Sequence, residues 1–148
     1  RRIDLGLAPK SVDTSLLSGV PRNLPALVEA LKLQAKASTV GFDWNDPQAV
    51  LDKVREEASE FAEAAKTNDP AASADELGDL LFTVVNLARH FDIEPEMALR
   101  NCNRKFRRRF GHIESLAKKN GREMADMDLD ELETMWIEAK QLEKTPDA

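Results

Sequence analysis

Helical spacing of apolar positions divides the chain from about residue 24 onward into five segments. The first, roughly Leu24 to Ser38, carries Leu27, Val28 and Leu31 at that spacing, followed by Gln34-Ala35. The second is announced by Asp46-Pro47, a capping side chain followed by proline at the first helical position, and runs to about Lys66. The third follows Asp69-Pro70 by the same logic and reaches about Phe91. A fourth starts near Glu94-Pro95 and extends to about Lys119, with Gly111 as a weak point inside it. The last opens at Asp128, takes Glu131 as capping-box partner and ends near Lys144. Residues 1–22 mix Gly, Pro, Ser and isolated apolar positions without a period, which reads as a leader or linker and a candidate for disorder. The predicted class is all-α, with one domain over 23–148.

The polar positions of the second and third helices carry the candidate chemistry. On helix two the apolar arc is Val50, Leu51, Val54, Ala58, Phe61 and Ala65. Glu57 lies at its edge, Glu60 one step beyond, and Glu56 nearly opposite. On helix three the arc is Leu77, Leu80, Leu81, Val84, Leu87, Ala88 and Phe91. Glu76 sits at its edge and Asp79 one step beyond, and Thr83, Asn86 and His90 continue that polar strip. A hairpin turn centred near Asn68 sets level those residues whose numbers sum to 136, pairing Glu60 with Glu76 and Glu57 with Asp79. Four carboxylates then converge and repel one another unless a cation neutralises them. Oxygen ligands without His or Cys favour Mg²⁺, or Mn²⁺, over zinc. Alternatively, Glu-x-x-Glu is a solvated face and Ser73-x-x-Glu76 a capping box. Phe82 lies outside the helix-three arc and Val85 borders it, which predicts a second helical interface and a homodimer.

Composition narrows the class. At 16.5 kDa the chain is long enough for a real core, and its 42% hydrophobic and 32% charged residues are an ordinary soluble balance. Six Gly, seven Pro and no Tyr argue against a turn-rich β-sandwich, and the single Cys excludes a disulfide framework or a Cys-based zinc site. No apolar run approaches the ~18 residues of a membrane span and no secretory signal is visible, so a cytoplasmic location is expected. Because the chain begins with Arg, a fragment of a longer protein is expected.

The net charge of −6 argues against a general nucleic-acid binder but conceals a dipole. From Asp43 to Asp79 there are 11 acidic and 3 basic residues, and from Arg100 to Arg122 there are 9 basic residues against Glu114 alone. On helix four the apolar arc holds Leu99, Cys102, Phe106, Phe110 and Ile113; Lys105 borders it and Arg109 falls within it. An arginine there needs an anion: phosphate is the natural candidate, and a structural salt bridge to the acidic helices is the alternative. Trp136 and Lys140, at i,i+4 on the last helix, can present one ring and one cation, although a core role for Trp136 fits equally.

Together these residues resemble a known family. Val40-Gly41-Phe42-Asp43-Trp44, Glu56-Glu57-x-x-Glu60, Glu76-x-x-Asp79, Leu80-Leu81-Phe82 and Val85-Asn86-Leu87-Ala88-Arg89-His90 are similar to MazG-type nucleoside triphosphate pyrophosphohydrolases. Asn103-x-Lys105-Phe106-x-Arg108-Arg109-Phe110 and Trp136-x-x-x-Lys140 fit as well, so the resemblance covers roughly Pro21 to Lys144. It is closest to the catalytic second repeat of two-repeat members, of which one copy is present here.

The resemblance implies a four-helix-bundle-type core completed by dimerisation, or by a higher homo-oligomer. It implies Mg²⁺-dependent hydrolysis of nucleoside triphosphates to monophosphate and pyrophosphate. The metal ligands would be Glu57, Glu60, Glu76 and Asp79, with Glu56 in support. Lys105, Arg109, Trp136 and Lys140 would hold the nucleotide. Water would attack the α-phosphorus, with Glu56, Glu57 or Glu60 accepting its proton. No Walker pattern is present, so P-loop chemistry is not expected. Two other readings stay open at this point: a pyrophosphohydrolase specific for dUTP, dCTP or phosphoribosyl-ATP, and a non-enzymatic helical module that binds nucleic acid. Phe42, Trp44 and Trp136 can each stack on a base, while Phe42 and Trp44 can equally form a hydrophobic staple.

Overall fold

The computed structural model describes residues 15–144, and every regular element among them is helical. Five α-helices follow one another: α1 (Ala26–Ser38), α2 (Pro47–Ala65), α3 (Pro70–His90), α4 (Pro95–Lys119) and α5 (Leu129–Lys144). The predicted boundaries hold to within about two residues. Of the proposed leader, positions 1–14 lie outside the described residues. Ser15 onward forms a 3-10 turn, Leu16–Gly19, that packs against α1 and brings Val20 into the core.

The helix starts follow from local chemistry. Asp46 accepts the Gln48 amide at 3.0 Å, and Asp69 accepts the amides of Ala71 and Ala72 at 3.1 and 3.3 Å. Each Asp is followed by a proline whose missing N–H would have been unpaired there anyway. Asp128 and Glu131 close a reciprocal capping box on α5. The chain leaves α2 through Lys66–Asp69, where Asn68 takes the left-handed conformation at φ 58° that returns α3 antiparallel to α2. Gly41 and Gly121 occupy the same region at φ 87° and 66°, just past the ends of α1 and α4. α4 runs through Gly111 unbroken.

The chain divides into two compact units, one up to Glu96 and one from Met97. In the first, α2 and α3 form a hairpin and α1 lies against α3, with the Gln34 amide donating to the Phe82 carbonyl at 2.8 Å. Its buried residues are Val20, Gln34, Val50, Glu57, Thr83, Val85, Asn86 and Pro95. In the second, Ile113, Ala117, Met127 and Ala139 are buried where α4 and α5 meet the turn Met124–Asp126. Arg122 and Glu131 pair across that turn.

The orientation of α3 differs from the helical-wheel reading. Thr83 and Asn86, on the supposed outer polar strip, are buried, whereas Leu77, Leu81 and Val84 of the supposed core arc are exposed. Asn86 is 4% exposed and Leu81 51%. Val85, expected at a second interface, is 1% exposed and belongs to the core, while Phe82 is 47% exposed as expected. A wheel identifies which face is apolar, not which face the chain's own helices cover. On this side of α3, Glu76 and Asp79 stand beside Glu57 of α2, and His90 pairs with Asp43 of the loop before α2.

Candidate functional site

The α2–α3 hairpin assembles an acidic cluster from both helices. One carboxylate oxygen from each of Glu57, Glu76 and Asp79 lies within 4.8 Å of the others. The hairpin register produces this: Glu57 stands level with Asp79, and Glu76 is one helical turn before Asp79 on the same face. Glu57 is only 7% exposed. Its Oε1 meets Lys53 Nζ at 3.4 Å, but Glu57 Oε2 and Glu76 Oε2 are shielded from solvent and accept no hydrogen bond. Buried anionic oxygens without a donor are costly unless a cation meets them. The donor set is all oxygen, so the cluster fits a hard divalent cation.

Burial and like charge act together on Glu76 and on the neighbouring Glu60. Burial, followed by the charges of Asp79, Glu57 and Asp75, raises the Glu76 carboxyl above its ordinary value. Glu57, followed by burial and by Glu76 and Glu56, raises Glu60, and Lys53 opposes this. Of the four carboxylates predicted to converge, three meet. Glu60 stands beside them, exposed, on the wall of an open 580 Å³ trough shared with Glu56, Glu63 and Glu76. Glu56 is exposed and held by Lys53 at 3.2 Å. Lys53 was missed in the sequence, although its i,i+3 and i,i+4 spacing to Glu56 and Glu57 could have revealed it.

A second concavity lies further along α3. Leu17, Leu33, Ala37, Phe42, Trp44 and Phe82 give a 260 Å³ pocket largely apolar walls, and Gln34, Asp43, Thr83, Asn86 and Arg89 complete it. The Thr83 hydroxyl donates to the Asp79 carbonyl at 2.9 Å, so the pocket begins one turn beyond the acidic cluster. Phe42 and Trp44, the rings proposed from sequence, are therefore pocket walls. Asp43 between them accepts from Arg89 Nη2 at 2.6 Å and from the Trp44 amide at 2.8 Å, and pairs with His90 Nε2 at 2.8 Å. Burial works against the Asp43 anion, but Arg89 and His90 together outweigh it and hold its carboxyl below the ordinary range. Asn86 Oδ1 accepts from the same guanidinium at 2.8 Å. No short-range pattern exposes this network, because Asp43 lies 46 and 47 residues from its two partners.

In the second unit, Arg109 is mostly buried, as its place on the apolar arc requires, and the carboxylate beside it is Glu143 of α5 rather than one from the acidic helices. Its Nη2 lies 2.9 Å from Glu143 Oε1, while Arg108 Nε donates to Oε2 at 2.7 Å. Bonds from Arg108 and then Arg109 pull the Glu143 carboxyl down to about 2. The Arg109 guanidinium lies 5.5 Å from the centroid of the Trp136 ring, which tilts against Phe106 at 5.4 Å. Trp136 is half-buried; Lys105 and Lys140 are exposed on α4 and α5.

The site is thus an acidic, cation-fitting cluster built by Glu57 of α2 with Glu76 and Asp79 of α3 on an all-helical hairpin. The profile of the phosphoribosyl-ATP pyrophosphohydrolase family matches residues 24–106, and the chain belongs to this family of hydrolases. It is 44% identical over 131 residues to the nucleoside triphosphate pyrophosphohydrolase of Escherichia coli K12, covering 87% of this chain and 50% of that protein. It is likewise 44% identical over 117 residues to the nucleoside triphosphate pyrophosphohydrolase/pyrophosphatase MazG of Thermotoga maritima, covering 79% of this chain and 45% of that protein. An uncharacterized Bacillus subtilis protein, YabN, is 48% identical over 146 residues, which is 95% of this chain and 29% of the relative. The chain thus spans half or less of the curated relatives it matches. Among the described residues no helix is long and apolar enough to cross a membrane.

Proposed function

We propose that the chain hydrolyses nucleoside triphosphates to nucleoside monophosphate and pyrophosphate with Mg²⁺, Mn²⁺ being an alternative ion. The observation that carries this reading is the pair of shielded, donorless oxygens of Glu57 and Glu76 beside Asp79. The names of the Escherichia coli and Thermotoga maritima relatives support the substrate class. In this reading Glu57, Glu60, Glu76 and Asp79 hold the cation. When bound, that ion neutralises phosphate oxygens and makes the α-phosphorus more electrophilic.

The chain's own residues do the rest. Glu56 stays outside the ligand set and lines the trough, where its carboxylate accepts the proton of the attacking water. The water oxygen bonds to the α-phosphorus, the α–β anhydride bond breaks, and pyrophosphate leaves with that electron pair. Lys105, Arg109, Trp136 and Lys140 hold the nucleotide, with Arg109 aimed by Glu143. The Phe42–Trp44 pocket takes the base, since a flat ring suits aromatic walls. The exposed Leu77, Leu81 and Val84 of α3 support a homodimer, because one helix rarely leaves such a face to water.

The test is incubation with a nucleotide panel that includes phosphoribosyl-ATP, with Mg²⁺ and with EDTA, followed by product analysis. Monophosphate plus pyrophosphate from ordinary triphosphates is expected. Diphosphate plus phosphate would contradict the reading. Turnover of phosphoribosyl-ATP alone would move it to the substrate named in the family description. Salt-sensitive polynucleotide binding without any product would replace it with a non-enzymatic one.

A further inference from the structure

Asp43 joins two elements that the backbone does not connect closely, the α1–α2 loop and the last turn of α3. One oxygen, Oδ1, takes the Arg89 guanidinium, the His90 ring and the Trp44 amide, at 2.6 to 2.8 Å. Such charge-assisted bonds are among the stronger ones a side chain makes. The Asp43 and Arg89 side chains retain about a fifth of their full exposure and His90 about a tenth, so water competes weakly for them. Asn86 fixes the same guanidinium from one turn earlier on α3.

What the network holds is the aromatic side of the 260 Å³ pocket. Phe42 and Trp44 flank Asp43 in the sequence, and Phe42 is 79% exposed, so little packing of its own fixes that ring. The loop follows Gly41 at φ 87° and has few backbone bonds beyond Phe42 N to Ala37 O and Asp43 N to Gly41 O. Its position against α3 therefore depends on Asp43.

We infer that Asp43 is a positioning residue for nucleotide recognition: clasped by Arg89 and His90, it sets the Phe42 and Trp44 walls of a ring-binding pocket. The inference rests on the reading that this pocket receives the base. It separates the roles of two neighbouring regions of α3. The Glu76–Asp79 end serves the phosphates, and the Asn86–His90 end fixes the wall that meets the ring.

The experiment measures KM and kcat of Asp43→Asn on a nucleoside triphosphate and on ribose 5-triphosphate, which lacks the base. The expected result is a KM for the nucleotide raised at least fivefold, kcat within twofold, and an unchanged KM for the base-free compound. Equal losses on both compounds would show a general structural role and overturn the inference, as would an unchanged nucleotide KM. If Asp43→Asn does not fold, His90→Ala, which removes one partner and leaves Arg89, is read in the same way. A second readout needs no turnover. Trp44 and Trp136 are the only indoles in the chain, so in Trp136→Phe the emission reports Trp44 alone. A nucleoside should quench it, and adding Asp43→Asn should weaken that quench at least fivefold in concentration; equal quenching with and without Asp43 would overturn the clasp. Absence of turnover by the wild-type chain would sink the proposed activity, while the quench would still decide the clasp.

Discussion

Glu57 and Asp79 face each other across the α2–α3 hairpin, and with Glu76 each contributes an oxygen to a cluster 4.8 Å across. Such a cluster costs folding free energy when empty and returns it when a cation binds. Asp79→Asn and Glu57→Gln should therefore raise the melting temperature in EDTA while abolishing the stabilisation by Mg²⁺. In the wild type that stabilisation should grow by about 1.4 kcal/mol per tenfold excess of free cation over its Kd. Thermal melts across a Mg²⁺ series check this, and a full Mg²⁺ shift in Asp79→Asn would refute the cluster as the binding site. Both variants should lose Mg²⁺-dependent turnover with helicity kept.

Glu143 gives a pH signature. Its carboxyl is drawn from the ordinary 4.5 to about 2 by Arg108 and Arg109. A group depressed on folding stabilises the folded state above its unfolded pKa and loses that contribution as pH falls through the folded one. The wild type should melt above Glu143→Gln at neutral pH, and the difference should shrink from about pH 4.5 and vanish near pH 2. A difference that stays constant over that range would mean that the ion pairs do not supply it.

The exposed face of α3 predicts the assembly state. Leu81→Glu places a charge beside the exposed Leu77 and Val84 without touching the buried Val85 side. Light scattering at micromolar concentration should give twice the chain mass for the wild type and the single-chain mass for the variant. A wild-type monomer would count against the dimer.

Helix capping sets a smaller effect. Asp69→Ala removes the acceptor for two amides at the start of α3, and it should cost about 1 kcal/mol in urea unfolding. Because Asp69 also anchors the hairpin return, its loss should lower Mg²⁺ affinity as well. Asp46→Ala, at the far end of α2, should cost similar stability and leave Mg²⁺ affinity alone.

Local chemistry was legible in the sequence. The two Asp-Pro caps, the Asp128–Glu131 box and the meeting of Glu57 with Asp79 follow from spacings of a few residues or from a single turn. The inward rotation of α3 was not legible, because Thr83 and Asn86 look like surface residues until α1 and α2 are laid on them. Arg109 was rightly expected to need an anion, but no spacing relates it to Glu143, 34 residues on. Asp43 was hidden for the same reason. Its partners are brought to it only by the packing of the α1–α2 loop against α3.

The turn Lys66–Asp69 has no side chain in the acidic cluster, yet it works as a gauge. A single residue inserted there would rotate α3 by about 100° and shift it about 1.5 Å along its axis, turning Asp79 away from Glu57. The α3 apolar face would swing with it, so the acidic cluster and the exposed face are indexed by one loop length. Substitutions within this turn should be tolerated far better than any change in the number of its residues.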